Sequence, residues 1–301
     1  MKTKSIAALF FLVLFISCNS SQDTSMPGII SFKDFKSQHV APRNVEVWLP
    51  PDYDPAISYD VLYMHDGQNV FNPKTSYTGV PWGADQAMDS LLAAGAIRPA
   101  IVVGIWNTDK RLMEYMPNKP RDLIVQKARE LGEKVEILSD NYLKFIVQEL
   151  KPFIDTTFST NSGQQSTFIM GSSMGGLISL YAISEYPGVF GGAACLSTHW
   201  PIGDGVVIEY FKDNLPAPHT HRLYFDYGTE NLDSIYEPFQ QRMDTILLQR
   251  GYEANNNWMT LKVEGGDHSE ASWRERVHIP LEFLLGTGKA SRQDTPKSTD
   301  L

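Results

Sequence analysis

The sequence predicts a three-layer α/β fold with a mostly parallel central sheet and an antiparallel hairpin at its N-terminal end. Three observations carry that expectation. Short apolar runs of strand length alternate along the chain with longer segments of helical period. The first stretch, Ile29 to Leu49, instead alternates in places residue by residue, with Val45, Val47 and Leu49 on one side and Asn44, Glu46 and Trp48 on the other. A strand, a glycine–serine turn and a helix then follow one another without a spacer over Thr167 to Ala182.

Taken in order, the hairpin stops at Pro50-Pro51, and Asp60 to Met64 reads as a buried strand entering the loop His65-Asp66-Gly67-Gln68-Asn69. Gly83 to Gly95 has helical period and a closing glycine. Ala100 to Ile105 is the most strand-like run, and Trp106 to Lys119 is a long loop. Asp122 to Leu150 is expected to be mostly helical, interrupted near Gly132 and restarted at the N-cap pair Ser139-Asp140. Gly191 to Leu196, Arg222 to Tyr227 and Trp258 to Val263 are strands. Asp233 to Arg250 is a helix closed by Gly251, and Ser272 to Leu285 is a last helix bent at Pro280. No repeat or linker divides the body, so residues 28–286 are expected to form one domain and residues 287–301 a disordered tail.

Gly171-Ser172-Ser173-Met174-Gly175 fits G-x-S-x-G, the sharp strand-to-helix turn that presents a serine at a sheet edge. Glycine suits both ends of it, because a Cβ would collide where strand and helix approach so closely. Ser173 is therefore the candidate nucleophile; the plainer role is a hydroxyl capping the helix that starts at Met174. Behind such an elbow an acid and then a histidine follow, each in a loop after a later strand. His278 falls inside the last helix, whereas His268 directly follows a strand in Gly265-Gly266-Asp267-His268 and is the expected general base. The acid belongs in Gly228-Thr229-Glu230-Asn231-Leu232-Asp233, where Glu230 and Asp233 both qualify. Asp226, on the strand itself, is expected to be structural.

Composition narrows the class. The chain has 301 residues, 42% hydrophobic and 20% charged, in the range of soluble globular proteins. Its charge of −9 comes with no basic stripe, so a nucleic-acid partner has little support. Lys2 and Lys4 precede the apolar run Ile6 to Ile16, too short to span a bilayer comfortably, so residues 1–17 are expected to be a signal peptide. Phe15-Ile16-Ser17-Cys18 resembles a bacterial lipobox, which makes Cys18 the lipidated residue and residues 18–27 a tether. The expected location is the cell envelope, with a membrane contact through the lipid. Cys195 is then the remaining cysteine, and no intramolecular disulfide is expected. His219-x-His221 has no obvious further ligands, and no glycine-rich phosphate loop follows the first parallel strand, so neither metal nor cofactor is expected.

Four segments carry a resemblance. Val61 to Asn69, Gly171 to Gly176, Gly228 to Asp233 and Gly266 to His268 resemble, in that order, the putative esterase family, which includes esterase D, feruloyl and acetylxylan esterases, and siderophore trilactone esterases. The resemblance spans Val45 to Leu285 and implies an α/β-hydrolase fold and a serine carboxylic-ester hydrolase. By similarity Ser173 is the nucleophile and His268 the base, and the Leu-Asp form of the acid loop favours Asp233 over Glu230. It further implies an oxyanion hole from the Met174 N–H and an amide of the His65–Asn69 loop, assigned to Gln68. Loops similar to the one bearing Asn107, Arg111, Glu114 and Tyr115 approach the substrate in relatives; a solvated loop with a structural Arg–Glu pair is the alternative. The expected substrate is an acyl ester of a carbohydrate or a related small ester. A siderophore trilactone, a peptidase or acyltransferase reaction on the same fold, and a non-catalytic binding lipoprotein are the rival readings.

Overall fold

The computed structural model describes residues 22–26, 28–130 and 136–287. Among the described residues nine strands form one sheet, in the order β1-β2-β3-β5-β4-β6-β7-β8-β9. They are β1 (Gln22–Met26), β2 (Ile29–Phe35), β3 (Arg43–Trp48), β4 (Asp60–His65), β5 (Ala100–Ile105), β6 (Thr167–Ser172), β7 (Gly192–Leu196), β8 (Arg222–Gly228) and β9 (Trp258–Val263). β1, β2 and β3 pair antiparallel, β3 joins β5 antiparallel, and every pairing from β5 to β9 is parallel. The helices are α1 (Ala84–Ala93), α2 (Arg111–Tyr115), α3 (Arg121–Glu130), α4 (Ser139–Lys144), α5 (Lys151–Thr157), α6 (Met174–Glu185), α7 (Ile208–Asn214), α8 (Glu237–Gln249), α9 (Glu270–Arg276) and α10 (His278–Leu285).

The period-two geometry of the parallel strands builds both cores. On β4, Val61 and Tyr63 enter one core with side chains of α4 to α8, while Leu62 and Met64 enter the other with α1, α9 and α10. Three layers result, as the alternating sequence predicts. Strands buried on both faces need no polar alternation, which is why Ile101-Val102-Val103 reads as a continuous apolar run. α6 is buried along its first ten residues, Met174 to Ile183, consistent with a helix that is apolar all round.

Several local expectations are corrected. The stretch read as a tether contains β1, with Gln22 opposite Phe32 of β2; residues 1–21, including Cys18, lie outside the described residues, as do 288–301 of the expected tail. Ser139 is the first residue of α4 rather than its cap, and its hydroxyl caps nothing. The loop after β5 contains the single-turn α2. The helical segment before the elbow runs on through α5, beyond Leu150, and α7 occupies a stretch to which the sequence assigned no element. A 3₁₀ turn over Asn231–Ile235 precedes α8, so Asp233 lies in that turn instead of opening the α-helix. The last helix is split at Val277 into α9 and α10, because Pro280 has no N–H to give the carbonyl four residues back.

The order in which strands are added reverses at β4: β5 lies on one side of it, β6 and its successors on the other. In open α/β sheets a binding crevice forms at the carboxyl ends of the strands beside such a switch point. The loops after β4, β6, β7, β8 and β9 all leave from that edge.

Candidate active site

Ser173 sits between β6 and α6 at φ 57° and ψ −123°, a region that L residues avoid. The turn is enforced from both sides. A Cβ on Gly171 would lie 2.7 Å from the Gly175 carbonyl carbon, and one on Gly176 would lie 3.1 Å from Thr198 Oγ1. Backbone bonds hold the serine in place: its N–H donates to Leu196 O at 2.9 Å, and its carbonyl accepts from His199 N–H at 3.2 Å. Its side chain forms no hydrogen bond among the described residues, so the hydroxyl caps nothing here.

His268 and Asp233 meet across 35 residues of sequence, with Nδ1 2.6 Å from Oδ1. Asp233 is fully buried, and its other oxygen accepts from Ser197 Oγ at 2.5 Å and Gly228 N–H at 2.8 Å. Burial works against the charge, yet the hydrogen bonds from His268, Ser197 and Gly228 outweigh it and hold the carboxyl below its ordinary value. An ionised carboxylate only accepts, so Nδ1 of His268 carries the proton shared with Asp233. Glu230 is exposed and contributes main-chain contacts to the same loop: its N–H reaches Gly266 O at 3.0 Å. The structure thus brings Asp233 to the histidine and leaves Glu230 in solvent. His278 is exposed at the start of α10, and His221 is buried on the Pro187 and Ala217 carbonyls. No group of metal-ligating side chains is present among the described residues.

His199 is a further histidine that the sequence reading passed over. Its Nδ1 lies 2.6 Å from Tyr236 Oη, and its ring centroid lies 6.5 Å from that of His268. Burial, reinforced by the neighbouring His268 and Arg111, takes its pKa down to about 4, so it is neutral at pH 7. Trp273 packs its ring 5.0 Å from His268 and donates from Nε1 to Ser197 Oγ at 3.0 Å.

The loop after β4 places Gln68 in a buried 3₁₀ turn, and neither its N–H nor that of Met174 has a partner among the described residues. Gln68 Oε1 accepts from Asn107 N–H at 3.2 Å. Three of the four residues expected to approach the substrate, Asn107, Arg111 and Tyr115, bond to Asp66 of this loop. Arg111 grips Asp66 with two bonds of 2.7 Å, Asn107 Nδ2 adds a third, and Tyr115 Oη accepts the Asp66 N–H at 3.3 Å. Asp66 is itself in the left-handed region at φ 56°. Burial opposes its charge, but Arg111 overrides it and keeps the carboxyl low. Glu114 is buried and paired at 2.7 Å with Arg43 of β3, a partner 71 residues away, and not with Arg111. Tyr115 is fully buried. Asn107 borders a cleft of about 470 Å³ that Gln68, Tyr77 and Trp106 also line.

Comparison with known proteins agrees with this architecture. The family model described as putative esterase matches residues 39–282. An endo-1,4-β-xylanase/feruloyl esterase of Xylanibacter ruminicola is 28% identical over 253 residues, covering 81% of this chain and 29% of that protein. A solved ferulic acid esterase superposes with a TM-score of 0.63 at 17% identity, covering 85% of this chain and 97% of the other. The enterochelin esterase of Shigella flexneri gives a TM-score of 0.62 at 20% identity, covering 87% of this chain and 59% of the other. With its α/β-hydrolase sheet and a family model spanning most of its length, the chain belongs to the putative esterase family of hydrolytic enzymes.

Proposed function

We infer that the protein is a serine carboxylic-ester hydrolase working through Ser173, His268 and Asp233. The observation that carries this reading is the buried Asp233 carboxylate bonded to His268 Nδ1, together with a serine held in a strained elbow. Ser173 Oγ attacks the ester carbonyl as His268 Nε2 takes its proton, and the tetrahedral oxyanion is met by the N–H groups of Met174 and Gln68. His268 then returns the proton to the departing alkoxide, leaving an acyl-serine. Water, deprotonated by the same nitrogen, releases the acid and restores the enzyme. Asp233 stays ionised throughout and stabilises the imidazolium.

The substrate class we favour is an acyl ester of a carbohydrate or a related small ester; the feruloyl esterase relative supports it. Lys2, Lys4, the apolar run to Ile16 and Cys18 support export and a lipid anchor at the cell envelope. The test is intact mass after incubation with a fluorophosphonate, wild type beside Ser173→Ala. One adduct in the wild type, none in the variant, and hydrolysis of short p-nitrophenyl esters are expected. A folded wild type that takes no adduct would overturn the enzyme mechanism and favour a binding lipoprotein. A screen of acetyl, feruloyl and siderophore esters then ranks the substrates.

A further inference from the structure

Behind Asp233 lies a buried polar cluster that the reaction itself does not require. Ser197 directly follows β7 at φ 39°, with no exposed surface. Its N–H contacts the carbonyl of Asp226 at 2.9 Å and the Oδ1 of the same residue at 3.2 Å. Asp226 in turn holds Arg276 through two bonds of 3.1 Å and accepts from Tyr224 Oη at 3.1 Å. Arg276 also bonds Ser272, through its carbonyl and its hydroxyl.

The hydroxyl of Ser197 can be accounted for completely. It has one hydrogen and two lone pairs. Trp273 Nε1–H reaches the oxygen at 3.0 Å and Arg276 Nη2–H at 3.1 Å, and both groups can only donate. With both lone pairs taken, the single hydrogen is directed to the remaining neighbour, Asp233 Oδ2, at 2.5 Å. A guanidinium and an indole N–H drawing on the oxygen make that hydrogen a stronger donor.

We propose that Ser197 is a positioning residue for the catalytic acid, its hydroxyl oriented by Arg276 and Trp273 so that it locks the Asp233 carboxylate in the plane that serves His268. This rests on the triad reading above. Asp233 has a single C–C bond about which its carboxylate can turn. With Gly228 N–H as the sole anchor on Oδ2, the group rotates more freely and the imidazole loses its fixed direction. Asp226 and Arg276 together hold a neutral donor in register without placing a second charge on the acid.

The experiment follows Ser197→Ala and Ser197→Gly beside wild type. Glycine removes the hydroxyl while accepting the positive φ that alanine strains, so a folded variant is available even if alanine fails. Two quantities are measured: kcat and KM on p-nitrophenyl acetate, and the rate and final extent of fluorophosphonate labelling at Ser173. The expected result is a kcat lower by about ten- to a hundredfold, the worth of one hydrogen bond to a charged group. KM should move less than about threefold, and labelling should be slower but still reach one adduct per chain. A purely structural role would instead lower the extent of labelling and leave the rate of the folded fraction unchanged. That result, or rates within about twofold of wild type in both variants, overturns the proposal while leaving Ser173 as nucleophile. A wild type without an adduct overturns the triad reading first and this inference with it.

Discussion

A Cβ on Gly228, at the end of β8, would fall 2.1 Å from the carbonyl oxygen of Gly266 after β9. That oxygen also accepts the N–H groups of Thr229 and Glu230, at 2.9 and 3.0 Å. The loops bearing Asp233 and His268 are therefore one bonded unit, with glycine at its closest approach. Gly228→Ala should push them apart, lower kcat by at least about a hundredfold and lower the melting temperature. Ester hydrolysis and thermal unfolding of the purified variant check both.

The two carboxylates of the acid loop should separate cleanly. Asp233→Asn offers an amide that can donate to Nδ1 and so stabilises the wrong tautomer, for which a loss of about 10⁴ in kcat is expected. Glu230→Gln, exposed and off the histidine, should stay within about threefold on the same assay. A larger loss from Glu230 than from Asp233 would reverse the assignment.

Arg111 and Asp66 should behave as a structural pair. Arg111→Met leaves a buried carboxylate without its guanidinium and should cost about 2–3 kcal/mol, reduced from a fully buried case because the arginine side chain is 29% exposed. The sign with pH follows from a lowered carboxyl: its contribution is present above the ordinary aspartate range and fades as pH falls through the lower folded value. Denaturant titration of Arg111→Met, and of Arg111→Met with Asp66→Asn, tests this; the double variant should recover part of the loss.

Two histidines, His65 buried and His199 half-buried, predict a second pH dependence. Burial lowers His65 to about 3 and His199 to about 4 in the folded chain. Above pH ~6.5 both are neutral folded or unfolded. Below it the unfolded chain takes up protons that the folded chain refuses, so stability declines toward the folded values, by up to about 1.4 kcal/mol per pH unit for His65. Urea midpoints between pH 7 and 4.5 should fall accordingly, and His65→Gln should flatten the curve.

Strain at Ser173 predicts a trade of activity against stability. Ser173 at φ 57° costs about 1–3 kcal/mol, more than the roughly 0.5–1 kcal/mol that glycine loses in chain entropy. Ser173→Gly should raise the melting temperature by a few degrees and abolish turnover. A melting temperature below wild type would show that the elbow is not strained.

Features that depend on neighbours in sequence were legible before the structure. The elbow is a local matter of two glycines flanking a serine between a strand and a helix, and the parallel sheet follows from apolar runs of strand length separated by helical ones. The order of candidate serine, acid and histidine could be read from strand ends alone. What the sequence left open, or misjudged, involves partners far apart along the chain. Asp233 and Glu230 share one loop and one chemistry, and the packing of Gly228 on Gly266 decides which of them is buried against His268. Arg111 sits in a polar loop that a sequence cannot distinguish from a substrate contact; folding brings it to Asp66, 45 residues earlier. Ser197 carries no motif at all, and its hydroxyl acquires a direction only where β7, the Asp233 turn and α9 converge. Local pattern determined the fold and the candidates, whereas the identity of each partner was decided by tertiary structure, because burial leaves a polar group stable only when a donor or acceptor from elsewhere in the chain satisfies it.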